Sequence, residues 1–223
     1  MNSTANALKE YKKQEQNIHE DIHEISKIVE RCGEQLEGNS FYHGNSNLTS
    51  WFFVYKRINF LNIILDNKVK KMIEIGFNAG HSAAVFLSVL PKDGSILFFD
   101  LNDHTYANPC YAYMKNKYPQ VKDFMAGDSK ITLPTYINNH SEELGTYDCI
   151  HVDGGHQEDV VLSDIFYSDK LLKVGGIMIL DDTQLKPIEN QISNLLESGY
   201  VFLYQIPTYG FSHVALMKVG YLS

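Results

Sequence analysis

The stretch CIHVDGGH, residues 149–156, takes a short apolar run straight into an acid, two glycines and a histidine. A run of this length, rich in Ile and Val and bounded by glycines, reads as a strand buried on both faces, the kind that parallel sheets are made of. Ligands of such sheets bind in the crevice outside the carboxyl ends of the strands. Asp153 and His156 therefore stand where chemistry is expected. A second run, IMILDD at 177–182, ends in the same manner with Asp181 and Asp182. Three carboxylates at neighbouring strand ends repel one another unless a cation joins them, and oxygen donors favour a hard divalent ion. Single acids at strand ends are ordinary turn and cap residues. The conjunction of three acids with a histidine is what points to a site.

Outward from these runs the chain alternates between strands and helices. Strands are expected at 72–75, 96–100, 122–125, 149–153 and 177–181, with helical segments between them. Two more, at 201–206 and 214–219, are separated only by a turn at 207–211 and should pair antiparallel. The pattern predicts an α/β fold with a doubly wound, mostly parallel seven-stranded sheet and an antiparallel C-terminal strand.

Ahead of it, residues 8–36 read as a charged helix with Leu8, Tyr11, Ile18, Ile22, Ile25, Val29, Cys32 and Leu36 on one stripe. Such a stripe either packs on the parent domain or joins two copies in a homo-oligomer. Residues 19–23 happen to match HExxH, but His19 and His23 flank the stripe and no third ligand follows at the extended spacing, so a zinc peptidase is set aside. Residues 37–50 are polar and turn-rich, a loop able to cover a site, and a helix follows from 51 to 65. The expected division is an N-terminal helix and covering loop at 1–47, then the sheet domain at 48–223.

The hydrophobic share of 44% and the charged share of 21% mark a globular chain with an ordinary core. A net charge of −8 without any dense Lys/Arg run argues against nucleic acid and anionic membranes as partners. No apolar run approaches a membrane span or a signal peptide core. Three cysteines, Cys32, Cys110 and Cys149, cannot all pair internally and suit a reducing, cytoplasmic setting. The sequons at Asn2, Asn47 and Asn139 then carry no meaning.

The loop IEIGFNAGHSA at 73–83 joins the first strand to the next helix. A dinucleotide site wants G-x-G-x-x-G, whose second glycine admits a pyrophosphate. Here Gly76 and Gly80 are present and Asn78 holds that second position. The Gly-Lys-Ser/Thr of a triphosphate site is also missing. A nucleoside-bearing ligand without phosphate fits better. Asp100, closing ILFFD, is placed to accept both hydroxyls of a ribose, and Asp128 and Ser129 of MAGDS to meet an adenine edge.

Taken together, these residues make the chain resemble the class I S-adenosylmethionine-dependent methyltransferases, with their Rossmann-like sheet, from about residue 48 to 220. More narrowly it resembles the metal-dependent O-methyltransferases that act on catechols, macrolide sugars and rhamnosyl groups. The loop of that group reads E-x-G-x-x-x-G-x-S-A, matched by Glu74, Gly76, Gly80, Ser82 and Ala83. The resemblance implies S-adenosylmethionine as cofactor. Glu74, Gly76, Phe77, Asn78 and Gly80 would lie along its methionine part, and Ser82 on its carboxylate. Asp100 and Leu101 would hold the ribose, Gly127, Asp128 and Ser129 the adenine, and Asp153 the amine.

The resemblance also implies a divalent metal, Mg²⁺ first, on Asp153, Asp181 and Asp182. Some relatives carry Asp-Asn in place of the last pair, so this chain adds one negative charge. His156 and Asp153 are the expected catalytic residues. A neutral hydroxyl is a poor nucleophile, and an imidazole titrating near neutral pH suits a general base. Catechol-type relatives carry a lysine at that position. His151, inside its strand, reads as a core histidine.

The expected partner is a small molecule with a hydroxyl to methylate. A catechol and a sugar with adjacent hydroxyls both suit chelation, and Tyr42, His43, Tyr106, Tyr209, Phe211 and His213 are candidate acceptor-facing residues. The competing readings are a methyltransferase that uses no metal and a catalytically inactive methyltransferase fold that serves as a binding module.

Overall fold

The computed structural model describes residues 3–38, 51–206 and 212–220. The expected turn at 207–211 and most of the expected covering loop lie outside these residues, as do Tyr42, His43, Tyr209 and Phe211. The chain forms two compact units: one holds helices α1–α4, the other most of the sheet together with helices α5–α7.

The strands are β1 (Lys71–Ile75), β2 (Ser95–Asp100), β3 (Val121–Ala126), β4 (Tyr147–Val152), β5 (Leu172–Leu180), β6 (Tyr200–Ile206) and β7 (His213–Lys218). They form one seven-stranded sheet in the order β3-β2-β1-β4-β5-β7-β6. β1 and β4 pair parallel, as do β4 and β5, whereas β7 runs antiparallel to both β5 and β6. The expected doubly wound, mostly parallel sheet is what forms. Most boundaries move by no more than two residues, but β5 begins at Leu172 rather than 177, because its exposed residues 173–175 lack the apolar pattern by which a strand is recognised.

Register decides what meets what. Glu74 lies opposite His151 across β1 and β4, and His151 lies opposite Ile179 across β4 and β5. Side chains alternate along a strand, so Glu74, His151 and the residues two further on, Asp153 and Asp181, share one face. The opposite face carries Ile73, Ile75, Ile150, Val152, Met178 and Leu180. It packs on α5 (Ser129–Asn139), α6 (Glu158–Leu171) and α7 (Lys186–Glu197) through buried Leu133, Ile165 and Leu195. Each such side chain contributes about 1.5–3 kcal/mol on burial. This layer holds the strand ends, and so the acids, in place.

The other unit holds α1 (Ser3–Cys32), α2 (Trp51–Asp66), α3 (His81–Val89) and α4 (Ala107–Lys117). The α1 stripe at Tyr11, Ile18, Ile22, Ile25 and Val29 is buried, and α1 packs on α2, α3 and α4. The stripe, read as packing on the parent domain or joining a second copy, is thus covered within the chain. An apolar stripe is satisfied by any apolar surface, and α2, with Phe53, Phe60, Leu61, Ile63 and Ile64 buried, provides one. The helix also stops at Cys32 rather than reaching 36. Gly33 takes a left-handed φ of 68° and its N–H returns to the Glu30 carbonyl, a glycine helix stop.

Asp21 pins α1 to α4. Fully buried, it accepts hydrogen bonds from the Tyr113 hydroxyl at 2.6 Å and the Tyr118 hydroxyl at 2.5 Å, and it pairs with Lys117. Truncation leaves a buried hydroxyl, a half-buried one and an ammonium without their acceptor. We expect Asp21→Ala to lose about 3 kcal/mol of stability in urea unfolding, with Asp21→Asn intermediate; equal stability of all three proteins would remove the pin.

Candidate active site

β1 leaves the sheet at Gly76, which takes a φ of 92°. Its N–H donates to the Phe99 carbonyl at 2.8 Å, while the Asp153 N–H donates to the Ile75 carbonyl at 2.8 Å. The two backbones run so close that a Cβ on Gly76 would stand 1.9 Å from the Asp153 carbonyl oxygen. The first glycine of the loop is therefore demanded by the strand end that carries Asp153. Gly80, with a φ of 85°, precedes α3, and a Cβ there would meet the Phe77 ring at 2.8 Å. Between them Asn78 has a φ of 51°, and its side-chain amide donates to the Glu37 carbonyl. Phe77 is buried, as is Ser82 in the first turn of α3.

At the next strand ends, Asp100 is partly exposed and Leu101 beside it is 58% exposed, an apolar side chain left open next to an acid. The Asp100 carbonyl accepts the Gly127 N–H at 2.8 Å, which ties the ends of β2 and β3. Asp128 is the N-cap of α5 and accepts the Lys130 N–H at 2.9 Å, and Ser129 opens that helix.

The densest group lies at the ends of β1, β4 and β5. His151 Nδ1 is 3.0 Å from Glu74 Oε1, and His151 Nε2 is 3.5 Å from Asp181 Oδ2; all three side chains are buried. Burial pushes the imidazole pKa down, but the Asp181 and Glu74 carboxylates beside its two nitrogens and the charge of Asp153 outweigh it and hold His151 well above its ordinary value. His151, Asp153 and Asp181 each place one donor atom so that all lie within 4.8 Å of one another.

Asp182 turns elsewhere. Its φ is 50°, its carboxylate lies 3.1 Å from His156 Nε2, and it accepts the Gln184 amide at 2.9 Å. The bond to Asp182, opposed by burial, raises the His156 pKa.

Of the residues expected at the metal, the structure gathers Asp153 and Asp181, adds His151, and sets Asp182 against His156. His151 is buried as a core histidine should be, yet both its nitrogens face carboxylates. Its position two residues before Asp153 was the available signal, since that spacing puts both on one face of a strand. Tyr106 and His213, expected to face an acceptor, are both buried. The Tyr106 ring stacks on His104 at 4.8 Å.

Comparison with known proteins bears on the family and the fold. Residues 73–183 match the model of a methyltransferase domain family, a span that starts in β1 and ends just past Asp182. The chain carries a methyltransferase domain. Its sequence is 30% identical over 125 residues to caffeoyl-CoA O-methyltransferase 2 of Populus trichocarpa, covering 56% of this chain and 49% of the relative. The chain thus spans about half the length of the curated relatives it matches. The fold is that of an O-methyltransferase from Bacillus cereus in complex with SAH, at a TM-score of 0.67 and 14% identity over 89% of this chain and 91% of the other. The O-methyltransferase TomG from Streptomyces achromogenes, in complex with SAM, aligns at 0.63 and 14% identity over 86% and 90%. The expected resemblance to the class I O-methyltransferases holds.

Within the methyltransferase domain one further acid escaped the sequence reading. Asp164 on α6 is fully buried beneath the loop that carries Asp153 and His156, and a Cβ on Gly154 would stand 2.8 Å from its Oδ2. Nothing in its helical position separates it from an ordinary surface acid. Burial first, then the charge of Asp128, raises its pKa to about 7, against the opposing influence of the nearby Ser129 hydroxyl. The folded state then keeps a proton that the unfolded chain has released, so stability falls as pH rises from about 4 to about 7, by up to a few kcal/mol. Asp164→Asn should remove that fall: its stability relative to the wild type, measured in urea, should be higher at pH 8 than at pH 4. Gly76→Ala, driven into the Asp153 carbonyl, should cost at least about 3 kcal/mol. Gly33→Ala, with open space around it, should cost about 1 kcal/mol.

Proposed function

We propose that this chain is an S-adenosylmethionine-dependent O-methyltransferase that deprotonates its acceptor hydroxyl beside a divalent metal. The observation that carries the reading is His156, held by Asp182, next to the cluster of Asp153, Asp181 and His151. The donor chemistry fits a metal. The acids Glu74, Asp153 and Asp181 crowd around one imidazole, and a divalent cation would offset the repulsion among them.

The cofactor also fits. The glycine loop lacks a phosphate cradle, and Asp100 beside the exposed Leu101 suits ribose hydroxyls next to an apolar base. In this reading Glu74, Gly76, Phe77, Asn78, Gly80 and Ser82 serve the methionine part. Gly127, Asp128 and Ser129 serve the adenine, and Asp153 serves both amine and metal. Bound S-adenosylmethionine supplies the methyl on its sulfonium, and bound metal supplies a charge that lowers the pKa of a nearby hydroxyl.

The remaining work falls to the chain's own groups. His156 Nε2–H donates to Asp182, which leaves Nδ1 to take the acceptor's proton. The same bond fixes the ring and raises its basicity. Asp181 and Asp153 hold the positive charge at the strand ends. The caffeoyl group named for the Populus relative has adjacent ring hydroxyls, which supports an acceptor able to chelate, catechol or sugar. No helix among the described residues is long and apolar enough to cross a membrane.

A metal-independent reading has one observation in its favour: His151 already places a cation between Glu74 and Asp181. Methyl transfer from labelled cofactor across catechols and glycosides, with and without EDTA, separates the two. Activity lost in EDTA and restored by metal supports the proposal, and undiminished activity supports the alternative. His156→Ala should lower kcat about 10²–10⁴-fold while calorimetry shows cofactor affinity unchanged; full turnover would remove the base. Asp182→Asn should lower the His156 pKa and move the acid limb of the rate profile to lower pH.

A further inference from the structure

We propose that His151 is itself a metal ligand, through Nε2, so that the ion is held by an imidazole nitrogen together with Asp153 and Asp181. The inference rests on the metal-assisted reading above and adds to it a nitrogen donor from inside β4.

The first support is position. Ligands of one ion at about 2.0–2.3 Å stand roughly 3–4.5 Å apart. The donor atoms of His151, Asp153 and Asp181 all lie within 4.8 Å of one another. That spread needs only a small contraction around an ion.

The second support is the far side of the ring. A metal-bound histidine nearly always donates its other N–H to a carboxylate or carbonyl, which fixes the tautomer and aims the second nitrogen at the ion. His151 Nδ1 stands 3.0 Å from Glu74 Oε1, fully buried, and Nε2 is the nitrogen that faces Asp181. A histidine kept for packing needs one polar partner, and a backbone carbonyl serves. This one is set between two carboxylates on the strands flanking its own, with Glu74 directly opposite it in register.

The third support is the arrangement of the acid pair. Asp182 pairs with His156 and Gln184. With His151 in the coordination set, Asp182 is released to orient the base, and Asp181 alone of the pair meets the ion. A nitrogen donor also moves the metal preference. Imidazole suits Mn²⁺, Fe²⁺, Co²⁺ or Zn²⁺ better than Mg²⁺, which takes oxygen.

Pulsed electron paramagnetic resonance on the full chain loaded with Mn²⁺ reads this directly, because a bound imidazole nitrogen couples to the electron spin. The coupling should appear in the wild type and in His156→Ala, and vanish in His151→Gln and His151→Asn. Titration calorimetry should show Mn²⁺ affinity falling at least about 10-fold in His151→Gln and Mg²⁺ affinity falling less. Glu74→Gln, which removes only the partner of Nδ1, should weaken Mn²⁺ about 10–100-fold with the coupling retained. Mn²⁺ that binds the wild type without nitrogen coupling, or with a coupling that disappears in His156→Ala, overturns the inference and leaves the metal-assisted reading standing. A wild-type protein that binds neither ion overturns both.

Discussion

Glu74 and Asp181, both buried, share the imidazole of His151, and the carboxyl end of the sheet is arranged around that bridge. A buried carboxylate without a partner is costly, and two of them on nearby strands would drive those strands apart. One cation between them reverses the sign of the interaction. Because Glu74 is on β1, His151 on β4 and Asp181 just past β5, the same contact also registers three strands against one another. Packing on the opposite face, through Ile75, Val152 and Leu180, keeps those strands from relaxing.

Backbone sterics tighten the same corner. Gly76 and Asp153 approach so closely that the loop leaving β1 and the loop leaving β4 form one steric unit. The residue that turns the chain toward α3 is thereby tied to a residue of the proposed metal site. Asp181 and Asp182, neighbours in sequence, divide in space: one turns in toward His151, the other toward His156. A left-handed backbone at Asp182 makes that division possible. A doubly wound sheet hosts many chemistries, so it is the charges at these strand ends, more than the topology, that bear on what the domain does. The matched methyltransferase domain at 73–183 contains all of them.

Much of the architecture was legible in short apolar runs. Strands β2, β4 and β5 each end in or against an acid, β1 carries Glu74 one residue before its end, and their alternation with helices predicts the doubly wound sheet. β5 was legible only from residue 177, where its apolar run begins, because the exposed residues ahead of it carry no period. The N-terminal stripe was legible as a stripe, but its partner was not. An apolar face at heptad spacing is the same signal whether it meets a second copy or, as here, α2, α3 and α4 of its own chain. The limit of α1 turned on Gly33, whose positive φ becomes decisive only once the helix has somewhere to stop.

The sequence by itself determined the strand–helix order, the glycine loop, and the three acids and histidine at the ends of β4 and β5. Apolar runs, two-residue alternation and glycine positions are local properties, and they survive reading in one dimension. Only the tertiary structure decided that His151 is a polar bridge between Glu74 and Asp181, that Asp182 belongs to His156, and that Asp164 lies buried beneath their loop. Those assignments depend on which strands are neighbours and in what register. The residues concerned are 77 and 30 positions apart for His151 with its two partners and 26 apart for His156 with Asp182, as 151 − 74, 181 − 151 and 182 − 156 show. Electrostatic partnership at such separations is a property of the fold, and no local pattern in the chain encodes it.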